Sequence, residues 1–255
     1  MKSTDLESRQ NSQNGEDGII AHLVGLIHDS EYAKPIDRQF VEIGCGSGRE
    51  NCTTALAIAG WRGVVIDRKP ARVVNYKAYA QAHGFADRVD AYAVAATRSA
   101  GPELIELFET DRPCFFSLDI DGPDWHVMKG LLEAGFRPDV CCLEYNAAYE
   151  LQPITARYEG IPKVSNNLHY GAGVVAWRRL MAAWGYEFVT VESAGVNCFF
   201  VRAESVDMDE IAKIEGLDWI DCAAFAKRYG NAWERFGKIA HKYTFDHVNE
   251  AGGLG

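Results

Sequence analysis

The chain is poor in the features that mark several protein classes. Among its 255 residues there is no C-x-x-C pair, and the seven cysteines (Cys45, Cys52, Cys114, Cys141, Cys142, Cys198, Cys222) are odd in number. That excludes a zinc knuckle of ordinary spacing and argues against a disulfide scaffold. Reduced, buried thiols are the expectation. No apolar run approaches the ~18 residues that a membrane span needs. The segment from Met1 to Gly15 is polar and has no apolar leader-like stretch, so a cytoplasmic protein without a membrane partner is expected. Positive charge is also scarce: 26 Lys and Arg stand against 36 Asp and Glu, a net charge of −10. A general nucleic-acid binder needs a basic footprint, so nucleic acid is not expected as a partner. Repeats, low-complexity tracts and linkers are missing as well. The composition is that of a globular chain long enough to bury a large core.

What is present alternates. Asp17 precedes an apolar pattern of helical spacing at Ile19, Ile20, Leu23, Val24, Leu26 and Ile27. Gln39–Ile43 reads as a strand, Asn51–Ala59 as a helix and Val64–Asp67 as a strand, with glycines between the first two. A strand joined to the next by a helix runs parallel to it. The alternation continues through a helix at 73–83, a strand at 89–96, a helix at 103–108 and a strand at 115–119. A helix at 125–134 and a strand at 140–144 follow. Residues 147–168 lack a period, and a loop of that length in a compact domain is usually functional. After a helix at 172–184, the strands Glu187–Val191 and Cys198–Arg202 are too close for a crossover and should form a hairpin. These elements predict one α/β domain over 1–255: a doubly wound, mostly parallel seven-strand sheet ending in an antiparallel hairpin. An N-terminal cover helix over 1–30 and a helical appendage over 204–250, carrying Trp219, Phe225, Trp233, Phe236 and Tyr243, complete it.

The most informative segment is Glu42-Ile43-Gly44-Cys45-Gly46-Ser47-Gly48 between the first strand and helix. Glycines permit a sharp turn and close approach of a ligand to the backbone, and the helix start offers free N–H groups. Asp67 closes the second strand 23 residues after Gly44, where an acid can accept both ribose hydroxyls of an adenosine. A nicotinamide fingerprint would place glycine at position 49, which is Arg49.

This G-x-G-x-G pattern, with an acid two residues ahead, resembles the cofactor loop of class I S-adenosylmethionine (SAM)-dependent methyltransferases. The segments Ser12–Gly18, Gly60–Gly63, Asp119–Asp124 and Glu144–Asn146, in that order, resemble an FkbM-like branch over residues 12–202. The resemblance implies the class I methyltransferase fold with SAM as cofactor. It implies that Glu42 and Gly44, Gly46 and Gly48 meet the methionine end, that Asp67 binds the ribose, and that Asp119 lies beside the cofactor's amino acid. Gln13, in the first of these segments, and Trp177 are counted with the cofactor contacts. Known SAM-cyclising enzymes on this fold make a second activity compatible with the chain.

Ligands of open α/β sheets bind outside the carboxyl ends of the strands. Asp119, Asp121, Glu144 and Asn146 should lie there. Three acids could hold a hard metal, but one is claimed by SAM and strand-end carboxylates often cap helices. A general base, Asp121 or His169, is the preferred reading, and no metal is expected. Asn146 and Tyr170 are candidates for polarising an amine, and the faces of Tyr170 and Trp177 for attracting a sulfonium. Isolated histidines such as His22 and His126 read as surface or packing residues.

Three function classes follow. The first is methyl transfer to O or N of a small molecule. The second is cyclisation of SAM alone, its α-amine attacking its γ-carbon to give azetidine-2-carboxylate and methylthioadenosine. The third is a SAM-binding module without catalysis. Two-fold pairs are the commonest oligomers, so a homodimer is the default expectation.

Overall fold

The computed structural model describes residues 1–29, 38–158, 169–230, 234, 237, 241 and 243–255. Seven strands form one sheet: β1 (Gln39–Ile43), β2 (Arg62–Asp67), β3 (Val89–Ala93), β4 (Phe115–Leu118), β5 (Val140–Glu144), β7 (Tyr186–Val191) and β8 (Asn197–Arg202). Their order is β3-β2-β1-β4-β5-β8-β7. The first five run parallel. β8 is antiparallel to β5 and pairs with β7 as the expected hairpin. The chain winds outward through β2 and β3, then returns to lay β4 on the other side of β1. This reversal opens a crevice at the carboxyl ends of β1 and β4.

The two faces carry separate cores. On one, α1 (Glu16–Asp29), α2 (Thr54–Ile58) and α3 (Pro70–Ala82) bury Ile19, Leu23, Leu56 and Tyr76 against Phe40, Phe115 and Phe199. On the other, α4 (Gly101–Phe108), α5 (Asp124–Glu133) and α6 (Val174–Ala182) bury Leu104, Trp125, Leu131 and Trp177 against Val41, Phe116 and Phe200. Phe40 and Val41 go to opposite faces, as the two-residue period of a strand requires. Pro70 opens α3, where its missing N–H is harmless.

The two ends of the chain differ from the sequence reading. Residues ahead of Glu16 hold only a 3-10 turn at Ser3–Asp5 and pack against the sheet at Thr190. Ser3 is buried and accepts from Thr190 Oγ1 at 3.0 Å, and Asp17 Oδ2 gathers the N–H groups of Gln10, Asn11 and Ser12. The appendage is less helical than its amphipathic pattern suggests. It holds two short helices, α7 (Met208–Ile211) and α8 (Cys222–Tyr229), and ends in a strand, β9 (Phe245–His247). β9 pairs antiparallel with β6 (Ile154–Ala156), which lies within the segment expected to be loop. Neither three-residue strand has a local signal, because each is a strand only through its partner. Trp233, Phe236 and the 159–168 part of the long loop lie outside the described residues. No helix among the described residues is long and apolar enough to cross a membrane.

Candidate active site

A cleft of about 760 Å³, its open mouth included, lies at the carboxyl ends of β1, β2 and β4. Its walls include Gly44, Asp67, Arg68, Arg72, Asp119 and Asp121.

The glycine loop enters the cleft at Gly44. Gly44 has φ +100°, and a Cβ there would lie 1.6 Å from the Asp119 carbonyl oxygen. Only glycine lets β1 turn this close to β4. Gly46 also has positive φ, but a Cβ there would meet nothing within 4 Å, so that side of the loop faces open space. Gly48 packs on Tyr76 and Tyr79 of α3, and its role is to close the loop onto the fold.

Asp67 ends β2 almost fully buried. Its Oδ2 accepts the Gly46 N–H at 3.2 Å and its Oδ1 the Lys69 N–H at 2.8 Å. Arg72 Nη1 also reaches Oδ2 at 3.2 Å, from a side chain that is 46% exposed. The acid is therefore tied to the loop and latched by a movable guanidinium. An Arg in the first turn of a helix that begins just after a strand-end acid is the sequence signal that could have revealed this latch.

Glu42 is not among the cleft walls. It is buried beneath the loop and accepts from Asn51 Nδ2, Thr53 Oγ1 and the Cys52 N–H. Burial raises its carboxyl, and these donors oppose the rise. It pins the start of α2 to β1 and holds the loop from behind.

The β4 and β5 ends bring acids together. One carboxylate oxygen from each of Asp119, Asp121 and Glu144 lies within 4.8 Å of the others. Asp121 has φ +52°, in the left-handed region. Asp124 stabilises this turn from inside: Oδ1 accepts the Ile120 N–H at 2.8 Å and Oδ2 the Gly122 N–H at 2.9 Å. Burial comes first in raising Asp119, to about 7, followed by the charges of Asp121 and Asp124. Glu144 is pushed well up by burial and then by Asp119, Asp124 and Asp121. Glu144, which the sequence reading placed at these strand ends, and Asp124, to which it gave no role, are thus central here.

Asn146 and Tyr170 do come beside this group. Asn146 Nδ2 donates to the Tyr170 carbonyl at 3.1 Å, Tyr149 Oη donates to the same oxygen at 3.0 Å, and the Gly171 N–H meets the Gly122 carbonyl at 2.7 Å. The Tyr170 phenol is raised by burial and then by the charges of Glu144, Asp121 and Asp119.

Trp177 is not at the cleft. It is fully buried in the α6 face, and its Nε1 donates to the Glu144 carbonyl at 2.9 Å. It supports the end of β5 from behind, because α6 presents its apolar side to the sheet. Gln13 is exposed beside Ser12, which bridges to Glu50 past the glycine loop, and it is not among the cleft walls. His169 is drawn to the small sheet, with Nε2 3.1 Å from the Thr244 carbonyl oxygen and its ring stacked on Tyr243. His126 is buried against the Ala156 carbonyl, as a packing residue. His22 is half-buried on α1.

No family model matches the chain, and no curated protein matches it. Solved structures with a similar path include an O-methyltransferase from Bacillus cereus in complex with S-adenosylhomocysteine (SAH), at 16% identity over 77% of this chain and 83% of that one, TM-score 0.47. Cofactor-bound Rv0187 from MTB shares 16% identity over 77% and 83%, TM-score 0.48. Magnesium protoporphyrin IX methyltransferase from Synechocystis PCC 6803, with bound SAM, shares 14% over 74% and 78%, TM-score 0.46. At such identities the likeness concerns the path of the chain, not its chemistry.

Proposed function

We propose that this chain is a SAM-dependent enzyme that transfers a methyl group to O or N of a small molecule. The observation that carries this reading is Asp67, a wall of the cleft, tied by the Gly46 N–H to a glycine loop whose first residue, Gly44, lines the same cleft. A buried acid with a displaceable cation on it suits a ribose diol: Arg72 can swing to solvent and leave its place to a hydroxyl. The Gly44–Gly48 backbone and Asp119 would then hold the methionine end. SAM, when bound, supplies an electrophilic carbon beside a sulfonium. The protein's part is alignment and a proton acceptor. Asp121 and Asp119 line the cleft and can take a proton, and Asn146 and Tyr149 fix the backbone that carries Tyr170.

A second reading, cyclisation of SAM alone, draws on the same acids. Their position at the cleft offers a proton acceptor to an amine already inside it. Incubation of the protein with SAM, followed by mass spectrometry, tests both. Methylthioadenosine together with azetidine-2-carboxylate above background identifies cyclisation. SAH formed only when an acceptor is added identifies methyl transfer. A calorimetric titration with no heat from SAM would overturn the cofactor reading itself.

A further inference from the structure

Buried carboxylates in this protein are answered by donors nearly everywhere. Asp17 has three backbone N–H groups on Oδ2, though its Oδ1 has no partner, Glu42 has Asn51 and Thr53, and Asp139 has Arg112 and Ser205. The group at the ends of β4 and β5 is different. Asp119, Asp121 and Glu144 converge within 4.8 Å. Glu144 is 5% exposed, and its Oε2 has no hydrogen-bond partner. Among the described residues no Lys, Arg or His forms an ion pair with any of the three. The groups acting on them most are acids and phenols, Asp124, Glu42, Tyr170 and Tyr149, while Arg68 and Arg72 line the same cleft without an ion pair to them. Asp124 cannot help, because both its oxygens are taken by the turn. Asp119 and Glu144 hydrogen-bond to one another, so a shared proton relieves part of the repulsion, and once that proton is lost a cation is needed to do so.

We propose that Asp119, Asp121 and Glu144 form an ammonium site, which receives the nucleophile of the reaction as a protonated amine and takes its proton. The proposal rests on the SAM reading above and narrows its acceptor from O or N to N. Three acids repel an anionic acceptor. An α-ammonium gives up its proton near pH ~8 and an alkylammonium near ~10, within reach of Asp119, which burial has raised to about 7. An aliphatic hydroxyl lies far beyond it. The Tyr170 phenol beside the acids adds an aromatic face suited to an organic cation. In the step itself the ammonium loses a proton to a carboxylate and its lone pair forms the N–C bond. The C–S bond breaks, and its electron pair leaves on sulfur as a neutral thioether. The ammonium has two possible sources, a separate amine or the α-amine of SAM.

The test uses two cofactor analogues. Sinefungin carries an ammonium-bearing carbon where SAM has its methylated sulfur, and SAH carries only a neutral sulfur. Calorimetry at pH 8 should show sinefungin binding about tenfold or more tighter than SAH, the size of one charge-assisted contact. For a separate amine, Glu144→Gln should reduce that preference to less than about threefold while SAH affinity stays within the same factor. Asp121→Asn gives a second variant whose exposed, left-handed position asparagine tolerates, and it should act the same way. Equal affinity for the two analogues in the unaltered protein, or an unchanged preference in both variants, rules out a site for a separate amine. SAH affinity unchanged in both variants rules out a site for the α-amine, which SAH also carries. The two results together overturn the proposal. So does a micromolar Mn²⁺ site, seen as loss of the free-ion resonance and abolished by the same substitutions. Failure of both analogues to bind overturns the cofactor reading, and this proposal falls with it. Incubation with SAM alone separates the two sources: methylthioadenosine release marks the internal amine. SAM that stays intact until ethanolamine is added, then yields SAH, marks a separate one.

Discussion

Gly44 sits so close to Asp119 that a β-carbon on it would stand 1.6 Å from the Asp119 carbonyl oxygen. The cofactor loop and the acid-bearing strand end are in backbone contact, with no room for a side chain. Gly44→Ala must therefore push β1 and β4 apart as well as strain a φ of +100°. Its loss of stability should exceed the ~1–2 kcal/mol of left-handed strain alone. Gly46→Ala, with open space around its Cβ, should lose about that amount and no more. Urea unfolding of the two variants checks the contrast, and equal losses would refute it.

Asp67 and Arg72 yield a prediction of opposite signs. If a ribose diol displaces the guanidinium, Arg72→Ala leaves SAM affinity unchanged or higher. Asp67→Ala removes a charged acceptor and should weaken binding by about 10–100-fold. Calorimetric Kd values decide. A large loss in Arg72→Ala would show that the arginine itself contacts the cofactor.

The acids at the cleft make stability depend on pH. Asp119 is raised to about 7, so the folded protein holds a proton that the unfolded chain releases near 4. Its favourable contribution is complete below pH 4, declines as pH rises toward 7 and is gone above. Asp119→Asn removes this slope. The apo variant should gain in Tm relative to the unaltered protein between pH 5 and pH 7.5, by about 2–4 °C for each kcal/mol. Using the difference cancels the histidines common to both proteins. A difference that stays flat with pH would show that Asp119 ionises normally.

Trp177 supports β5 from the core, through its N–H to the Glu144 carbonyl. Trp177→Phe keeps most of the ring volume and removes one buried hydrogen bond. Stability should fall by about 1–3 kcal/mol, because a buried acceptor is left unsatisfied. SAM affinity should stay within about twofold. A tenfold loss of affinity at unchanged stability would place the indole on the cofactor instead.

Much of this was legible before any fold was known, where the physics is local. Strand and helix periods placed β1 and β5 at their observed bounds, and the short gap before Asn197 required a hairpin. The loop from Gly44 to Gly48 and the acid at Asp67 are joined by one strand–helix–strand unit, so their meeting at Gly46 follows from connectivity. The ends of the chain were less readable. Phe245–His247 has the pattern of an amphipathic helix and becomes a strand only because Ile154–Ala156 lies beside it. Trp177 resembled an aromatic beside a ligand, and only the packing of α6 turned it inward.

The sequence by itself determined the sheet, the glycine loop and the acid that answers it, because each depends on residues adjacent in the chain or one crossover apart. Only the tertiary structure decided that Glu42 faces the fold, that Arg72 latches Asp67, and that Glu144 joins Asp119 and Asp121 with an oxygen unpartnered. That convergence depends on β4 and β5 pairing in register, Leu118 opposite Leu143, so that the next residues, Asp119 and Glu144, emerge side by side. Charges 25 residues apart in the chain meet there because the backbone ladder and two apolar cores hold them together against their mutual repulsion.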